Sequence, residues 1–129
     1  GLTVLATDDN PESLDVVREM LSPHGAKVIA VQSGREALEA LRRESIDIVL
    51  MDVQMPELDG LETCRLIRQL PDGKANVPII ALTANAMVGD AARCKSAGMD
   101  DYITKPVDFP ALFRKIGKWS KRRVDDGRA

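Results

Sequence analysis

Three aspartates follow two apolar segments of the chain, and their side chains are the first candidates for chemistry. Asp52 directly follows the apolar residues 46–51, and Asp8 and Asp9 follow residues 2–7. Short apolar segments of this kind predict buried strands. If the two strands are parallel neighbours, about 5 Å apart, the three carboxylates share one pocket. Like charges about 4 Å apart cost about 4 kcal/mol per pair at an effective dielectric constant of about 20, so the pocket either raises a carboxyl pKa or binds a cation.

Two further polar residues follow predicted strands and complement the acids. Thr83 follows residues 77–82 and adds a hydroxyl group, and Lys105 follows residues 101–104 and adds an ammonium group. In an open parallel sheet, the residues at the carboxyl ends of the strands meet at one edge. Carboxylates at that edge suit Mg²⁺, or alternatively Mn²⁺. With the metal and Lys105 to neutralise charge, a carboxylate nucleophile predicts the transfer of a phosphoryl group.

Strands and helices are predicted to alternate five times along the chain. The predicted strands are residues 2–7, 27–31, 46–51, 77–82 and 101–104. Amphipathic stretches, with apolar residues three and four apart, follow these strands. Helix starts are predicted at the N-cap residues Asn10, Ser33 and Asp59, and Gly25 and Gly98 are predicted C-caps. The alternation predicts an α/β fold, a doubly wound parallel sheet with helices on both faces and right-handed crossovers.

The composition of the chain indicates one globular domain. The 129 residues include 44% hydrophobic and 29% charged residues, and the net charge is -2. Neither disorder nor a nucleic-acid surface is therefore expected. We expect the domain to span residues 1–119 and a polar tail or linker to occupy residues 120–129. The basic residues between Lys118 and Arg123 are expected to be a solvated helix end.

The cysteines and the lengths of the apolar segments predict the cellular compartment in which this chain lies. Cys64 and Cys94 have neither the spacing of zinc ligands nor a disulfide pattern, so we expect two small, half-buried side chains in a reducing compartment. No apolar segment approaches the length of a membrane span, and no signal peptide opens the chain. We therefore expect a cytoplasmic segment that makes no contact with a membrane.

Residues 2–119 resemble the receiver domains of two-component signalling. The matching segments are Asp8-Asp9-Asn10, residues 51–56 with Asp59-Gly60, residues 81–84 and residues 101–106. Residues 81–87 and 97–107 are most similar to receivers attached to hybrid sensor histidine kinases. The resemblance implies a flavodoxin-like (βα)5 fold, a five-stranded parallel sheet with the strand order 2-1-3-4-5. It also implies a cytoplasmic location, including the case of the cytoplasmic part of a membrane-anchored kinase.

The resemblance also implies roles for the acidic residues. Asp52 would be the phosphoacceptor, which receives its phosphoryl group from a phosphohistidine of a histidine kinase or of a histidine phosphotransfer domain. Asp9, Asp52 and the main-chain carbonyl of Gln54 would bind Mg²⁺. Asp8 would act mostly through a metal-bound water.

A switch is implied by the same resemblance. Thr83 would hydrogen-bond the phosphoryl group and Lys105 would pair with it, because phosphorylation adds charge and acceptor oxygens. Thr83 would be drawn inward and leave space for Tyr102, so that the surface of the fourth helix, fifth strand and fifth helix changes. Gln54 and Asn85 would influence hydrolysis of the acyl phosphate. Such a domain catalyses only its own phosphorylation and dephosphorylation, and it is a monomer or a phosphorylation-dependent dimer.

The residues leave other interpretations open. The receiver could belong to a stand-alone response regulator instead of a hybrid kinase. An aspartate-nucleophile phosphohydrolase would have a D-x-D motif after its first strand, whereas Asp8 and Asp9 are adjacent and Asp52 follows another strand. A flavin-binding module is disfavoured by acids where a phosphate-binding loop should lie. A degenerate receiver used only for protein interaction is disfavoured by the intact set of acids, threonine and lysine.

Overall fold

Strands and helices alternate along the chain, as the sequence predicts. The computed structural model describes residues 2–53, 59–71, 76–83, 88–104 and 107–127, and of residues 88–91 and 120–127 it describes only the backbone. Within these ranges the strands are β1 (Thr3–Thr7), β2 (Lys27–Val31), β3 (Ile48–Asp52), β4 (Ile79–Thr83) and β5 (Asp101–Thr104). The helices are α1 (Pro11–Leu21), α2 (Gly34–Arg43), α3 (Gly60–Ile67), α4 (Val88–Ser96) and α5 (Phe109–Gly127). A short 3-10 turn, Ser22–His24, follows α1.

The strands form one parallel sheet in the order β2-β1-β3-β4-β5. Every neighbouring pair is parallel, and Leu5 pairs with Ile29 on one side and with Val49 on the other. Parallel neighbours need a crossover connection, and the helices between the strands supply it. The observed order confirms the fold class and the strand order expected from the sequence.

Side chains that alternate along the strands fill an apolar layer on each face of the sheet. Leu5 and Met51 belong to the layer covered by α2, α3 and α4. Val4 and Leu50 belong to the layer covered by α1 and α5. Every residue of β3 and of β4 is buried, which explains why their sequences are continuous apolar runs instead of alternating ones. The two layers hold the carboxyl ends of the central strands in place.

The predicted boundaries of the third and fourth strands were wrong by one or two residues. Both strands begin and end later than predicted, at Ile48–Asp52 and Ile79–Thr83. Before β3, the carboxylate of Asp47 accepts a hydrogen bond from the Thr3 main-chain N–H at 2.8 Å. Before β4, Pro78 has no N–H group to donate to a strand ladder. The two candidate site residues are therefore the last residues of their strands and not the first residues of the following loops.

Local capping signals are confirmed at three helix starts. The side-chain oxygens of Asn10, Ser33 and Asp59 accept hydrogen bonds from main-chain N–H groups of the first helical turns, at 2.9, 3.1 and 2.8 Å. These bonds satisfy N–H groups that have no partner within the helix. Gly25 and Gly98 have φ angles of 85° and 103°, the left-handed conformation that the predicted C-caps require.

The last helix extends beyond the predicted domain end. α5 covers Phe109–Gly127, so the backbone of residues 120–127 is helical where a polar tail is expected. Lysine and arginine, frequent in this segment, are good helix formers. Within the described ranges, no helix combines the length and the hydropathy needed to cross a bilayer. The division into a domain of residues 1–119 and a linker of residues 120–129 stays a prediction.

Both cysteines are buried thiols within the apolar layer beneath α3 and α4. Burial raises the pKa of the Cys64 thiol to about 11. The thiol is therefore protonated at neutral pH, and a protonated thiol is a poor nucleophile and metal ligand. This environment agrees with the packing role expected for Cys64 and Cys94.

Thr7, the last residue of β1, carries a polar group into an apolar layer. The residue is 0% exposed, and its hydroxyl has no hydrogen-bond partner among the described residues. An unsatisfied buried polar group costs about 1–3 kcal/mol. Thr63 is equally buried but differs in its hydrogen bonding. Its hydroxyl donates a 2.7 Å hydrogen bond to the main-chain oxygen of Asp59.

Replacing Thr7→Val is expected to raise the free energy of unfolding by about 1 kcal/mol, because valine keeps the shape and removes the unsatisfied hydroxyl. Thr63→Val is expected to lower it by about 1 kcal/mol, because that substitution deletes a hydrogen bond. Urea unfolding followed by circular dichroism measures both changes. If Thr7→Val destabilised the protein as much as Thr63→Val, the Thr7 hydroxyl would have to be hydrogen-bonded.

Candidate functional site

Asp8, Asp9 and Asp52 lie together at one edge of the sheet, as the sequence predicts. Each contributes a carboxylate oxygen, and these oxygens all lie within 4.8 Å of one another. In the ladder between β1 and β3, Thr7 pairs with Met51, so the residues that follow them emerge side by side. Asp8 is 1% exposed and Asp52 is 4% exposed, whereas Asp9 is open to solvent. The cluster is therefore buried on one side and accessible on the other.

Main-chain hydrogen bonds orient the residues of this cluster. The N–H of Asp8 donates to the carbonyl oxygen of Val31 at 3.2 Å, and its Oδ1 atom accepts a hydrogen bond from the N–H of Asn10 at 2.9 Å. On the other side, the N–H of Val53 donates to the carbonyl oxygen of Leu82 at 3.0 Å. This last bond continues the pairing of β3 with β4 one residue beyond the end of β3.

The electrostatics of the cluster favour a divalent cation. Two unit charges 4.8 Å apart repel one another by about 3 kcal/mol at an effective dielectric constant of about 20. Burial of two of the carboxylates reduces screening by salt and water. Mg²⁺ takes one or two carboxylates in proteins and keeps several waters, which the exposed side of the cluster admits. The donor set fits Mg²⁺, and Mn²⁺ prefers the same oxygen ligands.

α3 begins directly against the end of β3. The N–H of Gly60 donates to the carbonyl oxygen of Val53 at 3.0 Å. A Cβ atom at Gly60 would lie 2.9 Å from the Cα atom of Val53 and would collide with the main-chain oxygen of Asp52. Only glycine permits this approach. In the sequence, Asp59-Gly60 predicts a cap and matches a family motif, and neither feature predicts this contact. Glycine inside the first turn is the one signal of it, since the helix propensity of glycine is low.

Gly60→Ala is expected to lower the free energy of unfolding by about 1–3 kcal/mol, because the added methyl group pushes α3 away from the strand end. Gly117→Ala in α5 is the matched control, since a Cβ atom built there meets nothing within 4 Å apart from its chain neighbours and the backbone of its own helix. Alanine at position 117 is expected to be neutral or to stabilise by up to about 1 kcal/mol. Thermal unfolding compares the two variants, and equal stability of both would contradict the steric argument.

Thr83 and Tyr102 lie on neighbouring strands and on the same face of the sheet. Asp52 pairs with Leu82, and Ala81 pairs with Tyr102. Thr83 is two residues beyond Ala81, so both point to the face that carries Tyr102. Thr83 is 8% exposed, and the half-buried Tyr102 packs against the apolar layer beneath α4. An open cavity of about 400 Å³ adjoins Tyr102 between α4 and β5.

The sequence of the chain matches a known family of protein domains. The model of the response regulator receiver domain matches residues 4–117, which is most of the sequence. The chain belongs to the response regulator receiver domain family. This assignment confirms the resemblance seen in the motifs and decides against the phosphohydrolase and flavin-binding interpretations.

Two curated relatives of this receiver domain are sensor kinases. The chain is 42% identical over 119 residues to the sensor protein GacS of Pseudomonas syringae pv. syringae, and the match covers 91% of the chain and 13% of GacS. It is 41% identical over 116 residues to the signal transduction histidine-protein kinase BarA of Escherichia coli K12, covering 90% of the chain and 12% of BarA. The chain spans about an eighth of the length of these relatives.

Solved receiver domains share the fold. The receiver domain of the sensor histidine kinase PA1611 from Pseudomonas aeruginosa PAO1, solved with magnesium in its active site cleft, is 40% identical with a TM-score of 0.85. That comparison covers 94% of this chain and 98% of the other. A co-crystal structure of the Saccharomyces cerevisiae histidine phosphotransfer signaling protein Ypd1 with the receiver domain of Ssk1 matches at 29% identity and a TM-score of 0.87, covering 95% and 90% of the two chains.

Three predicted site residues of this receiver domain lie outside the described residues. They are Gln54, Asn85 and Lys105. β5 ends at Thr104, which pairs with Thr83, and Lys105 is the next residue in the sequence. The structure thus brings together the three acids and places Thr83 on the adjoining strand. The roles expected for all of these residues stay predictions.

Proposed function

We propose that Asp52 of this receiver domain accepts a phosphoryl group from a phosphohistidine of a partner protein. The proposal is carried by the three carboxylates within 4.8 Å of one another at the ends of neighbouring strands. Membership of the receiver family supports it. Asp52 is the preferred acceptor because it ends β3, beside the strand that ends in Thr83.

In the proposed step, a carboxylate oxygen of Asp52 attacks the phosphorus atom. The bond between phosphorus and the histidine nitrogen breaks, its electron pair stays on the imidazole, and Asp52 becomes an acyl phosphate. Phosphoryl transfer depends chiefly on positioning and on neutralisation of charge. Asp52 meets the first requirement because the β3–β4 ladder and the start of α3 fix its backbone.

We propose that Asp8, Asp9, Asp52 and the main-chain carbonyl of Gln54 hold Mg²⁺, with Mn²⁺ as an alternative. When bound, the ion supplies positive charge that offsets the acids and the phosphoryl oxygens. The hydrogen bond from Asn10 holds the Asp8 carboxylate toward the cluster. The exposed Asp9 gives an ion access from solvent. Magnesium in the cleft of the 40% identical PA1611 receiver supports this assignment.

The remaining residues are proposed to stabilise and report the phosphoryl group. Thr83 donates its hydroxyl hydrogen to a phosphoryl oxygen, and Lys105 pairs with the group through its ammonium. The inward movement of Thr83 makes room for the Tyr102 side chain, which shares its face of the sheet. The surface formed by α4, β5 and α5 then changes. Gln54 and Asn85 tune hydrolysis of the acyl phosphate.

The proposed partner is a histidine kinase or a histidine phosphotransfer domain. The Ssk1 receiver domain was crystallised with the histidine phosphotransfer protein Ypd1, which supports a partner of this kind. The sensor-kinase relatives favour a hybrid histidine kinase as the parent protein, and a stand-alone response regulator is the alternative. We further propose a cytoplasmic domain without nucleic-acid or membrane contact, either monomeric or dimeric on phosphorylation. Its catalysis is limited to its own phosphorylation and dephosphorylation.

Asp52→Asn is expected to abolish labelling by acetyl phosphate in the presence of Mg²⁺, because an amide cannot form the acyl phosphate. Asp47→Asn is the matched control, since the same change there keeps an oxygen for the hydrogen bond from Thr3. Intact-protein mass spectrometry detects the addition of one phosphoryl group. Removal of Mg²⁺ with EDTA is expected to prevent labelling of the wild-type protein. Labelling of Asp52→Asn at the wild-type level would overturn the assignment of the phosphoacceptor.

A further inference from the structure

Side chains of β5 and α5 hold both the backbone and the ring of Tyr102. The Nζ atom of Lys115 donates to the main-chain oxygen of Tyr102 at 2.7 Å and lies 5.2 Å from the centre of the Tyr102 ring. The main-chain N–H of Tyr102 donates to Oδ1 of Asp101 at 2.8 Å. β5 is an edge strand of the sheet. Asp101 and Lys115 therefore satisfy backbone groups to which a further strand would otherwise pair.

Asp101 fixes Lys115 in this position. Its Oδ1 atom accepts a second hydrogen bond from Lys115 at 2.8 Å, and its Oδ2 atom accepts one from the indole N–H of Trp119 at 2.9 Å. Lys115 and Trp119 lie one helical turn apart on α5, so one face of the helix supplies both donors. The side chains of Lys115 and Asp101 are only 27% and 17% exposed, which shields the pair from water.

The carboxyl group of Asp101 stays ionised in this environment. Burial by itself raises its pKa, but the hydrogen bonds from the Lys115 ammonium, the Trp119 indole and the Tyr102 N–H outweigh burial. The pKa of Asp101 therefore lies below its ordinary value of 3.8. Because the carboxylate is charged at neutral pH, it retains Lys115 beside the Tyr102 ring.

We propose that Lys115 is a positioning residue that opposes the turn of the Tyr102 side chain in the unphosphorylated domain. This inference rests on the proposed function, in which that side chain moves into space left by Thr83. The main-chain bonds of Tyr102 persist when only the side chain turns, whereas the contact between ammonium and ring belongs to the described conformation. A contact made in one of two states shifts the equilibrium by its own free energy, here about two- to tenfold for a cation over an aromatic ring.

Lys115→Met tests the proposal, because methionine keeps much of the side-chain length and removes the charge. The chain contains one tyrosine and one tryptophan, so isotope-labelled tyrosine gives a single set of ring signals by NMR. Mg²⁺ with beryllofluoride, a phosphoryl mimic, defines the switched position of those signals. Without beryllofluoride, Lys115→Met is expected to move the Tyr102 ring signals toward that position, with a two- to tenfold larger switched population.

Two variants serve as controls on the same helix. Lys118→Met makes the same chemical change at an exposed lysine whose ammonium lies 5.3 Å from the centre of the Trp119 ring. It is expected to leave the Tyr102 ring signals at the wild-type position. Lys115→Arg keeps a cation over the ring and is expected to restore that position. An unchanged Trp119 indole N–H signal in Lys115→Met would show that Asp101 and Trp119 remain bonded.

The outcomes separate this inference from the proposed function. If beryllofluoride moves the wild-type Tyr102 signals and Lys115→Met moves them in the same direction without it, the proposal is supported. If beryllofluoride moves them and Lys115→Met matches Lys118→Met, the positioning role is refuted and the proposed function stands. If beryllofluoride leaves the wild-type signals in place, the proposed switch is wrong, and the positioning role fails with it.

Discussion

Repulsion between carboxylates at adjoining strand ends is an unfavourable interaction that the packing of this domain has to offset. Asp8 and Asp52 are almost fully buried, and their oxygens lie within 4.8 Å of each other and of Asp9. Because two of the three carboxylates are buried, solvent screens this repulsion only in part, and the arrangement is unfavourable on its own. It persists because the acids end strands that apolar layers hold on both faces. Packing thus maintains a site that is stabilised when a cation binds, and a cation there favours the approach of an anionic phosphoryl group.

The site is bounded by contacts of two different kinds. On one side the contact is steric, because Gly60 brings the first turn of α3 against the main-chain oxygen of Asp52. On the other side it is electrostatic, because Lys115 and Asp101 satisfy the backbone of Tyr102 at the sheet edge. Close packing therefore surrounds the backbone at the end of β3, while Tyr102 lines an open cavity. Thr83 and Tyr102 lie on one face of neighbouring strands, and they are the side chains through which we propose that a change at Asp52 is transmitted.

The features predictable from the sequence were those set by local patterns. Apolar runs that each end in an acid predicted the convergence of Asp8 and Asp52, because parallel strands bring their carboxyl ends to one edge. The cap at Asn10 was predictable because it involves neighbouring residues. The strand boundaries were wrong where a hydrogen bond to Asp47 or the missing N–H of Pro78 overrides an apolar run. Contacts between distant elements, such as those of Gly60 with β3 and of α5 with β5, left only weak signals in the sequence.

The three carboxylates are predicted to repel one another until Mg²⁺ binds, and the free energy of unfolding of Asp9→Asn tests this prediction. Urea unfolding of the variant and of the wild-type protein is measured in EDTA and again in saturating Mg²⁺. Without Mg²⁺ the variant is predicted to be the more stable protein, because one like charge has been removed. With Mg²⁺ at about 100 times its dissociation constant for the wild-type protein, the wild-type protein gains about 2.7 kcal/mol, and the variant is predicted to gain less because it has lost one ligand. A variant that is less stable in EDTA, or that gains as much from Mg²⁺ as the wild-type protein, would contradict the claim.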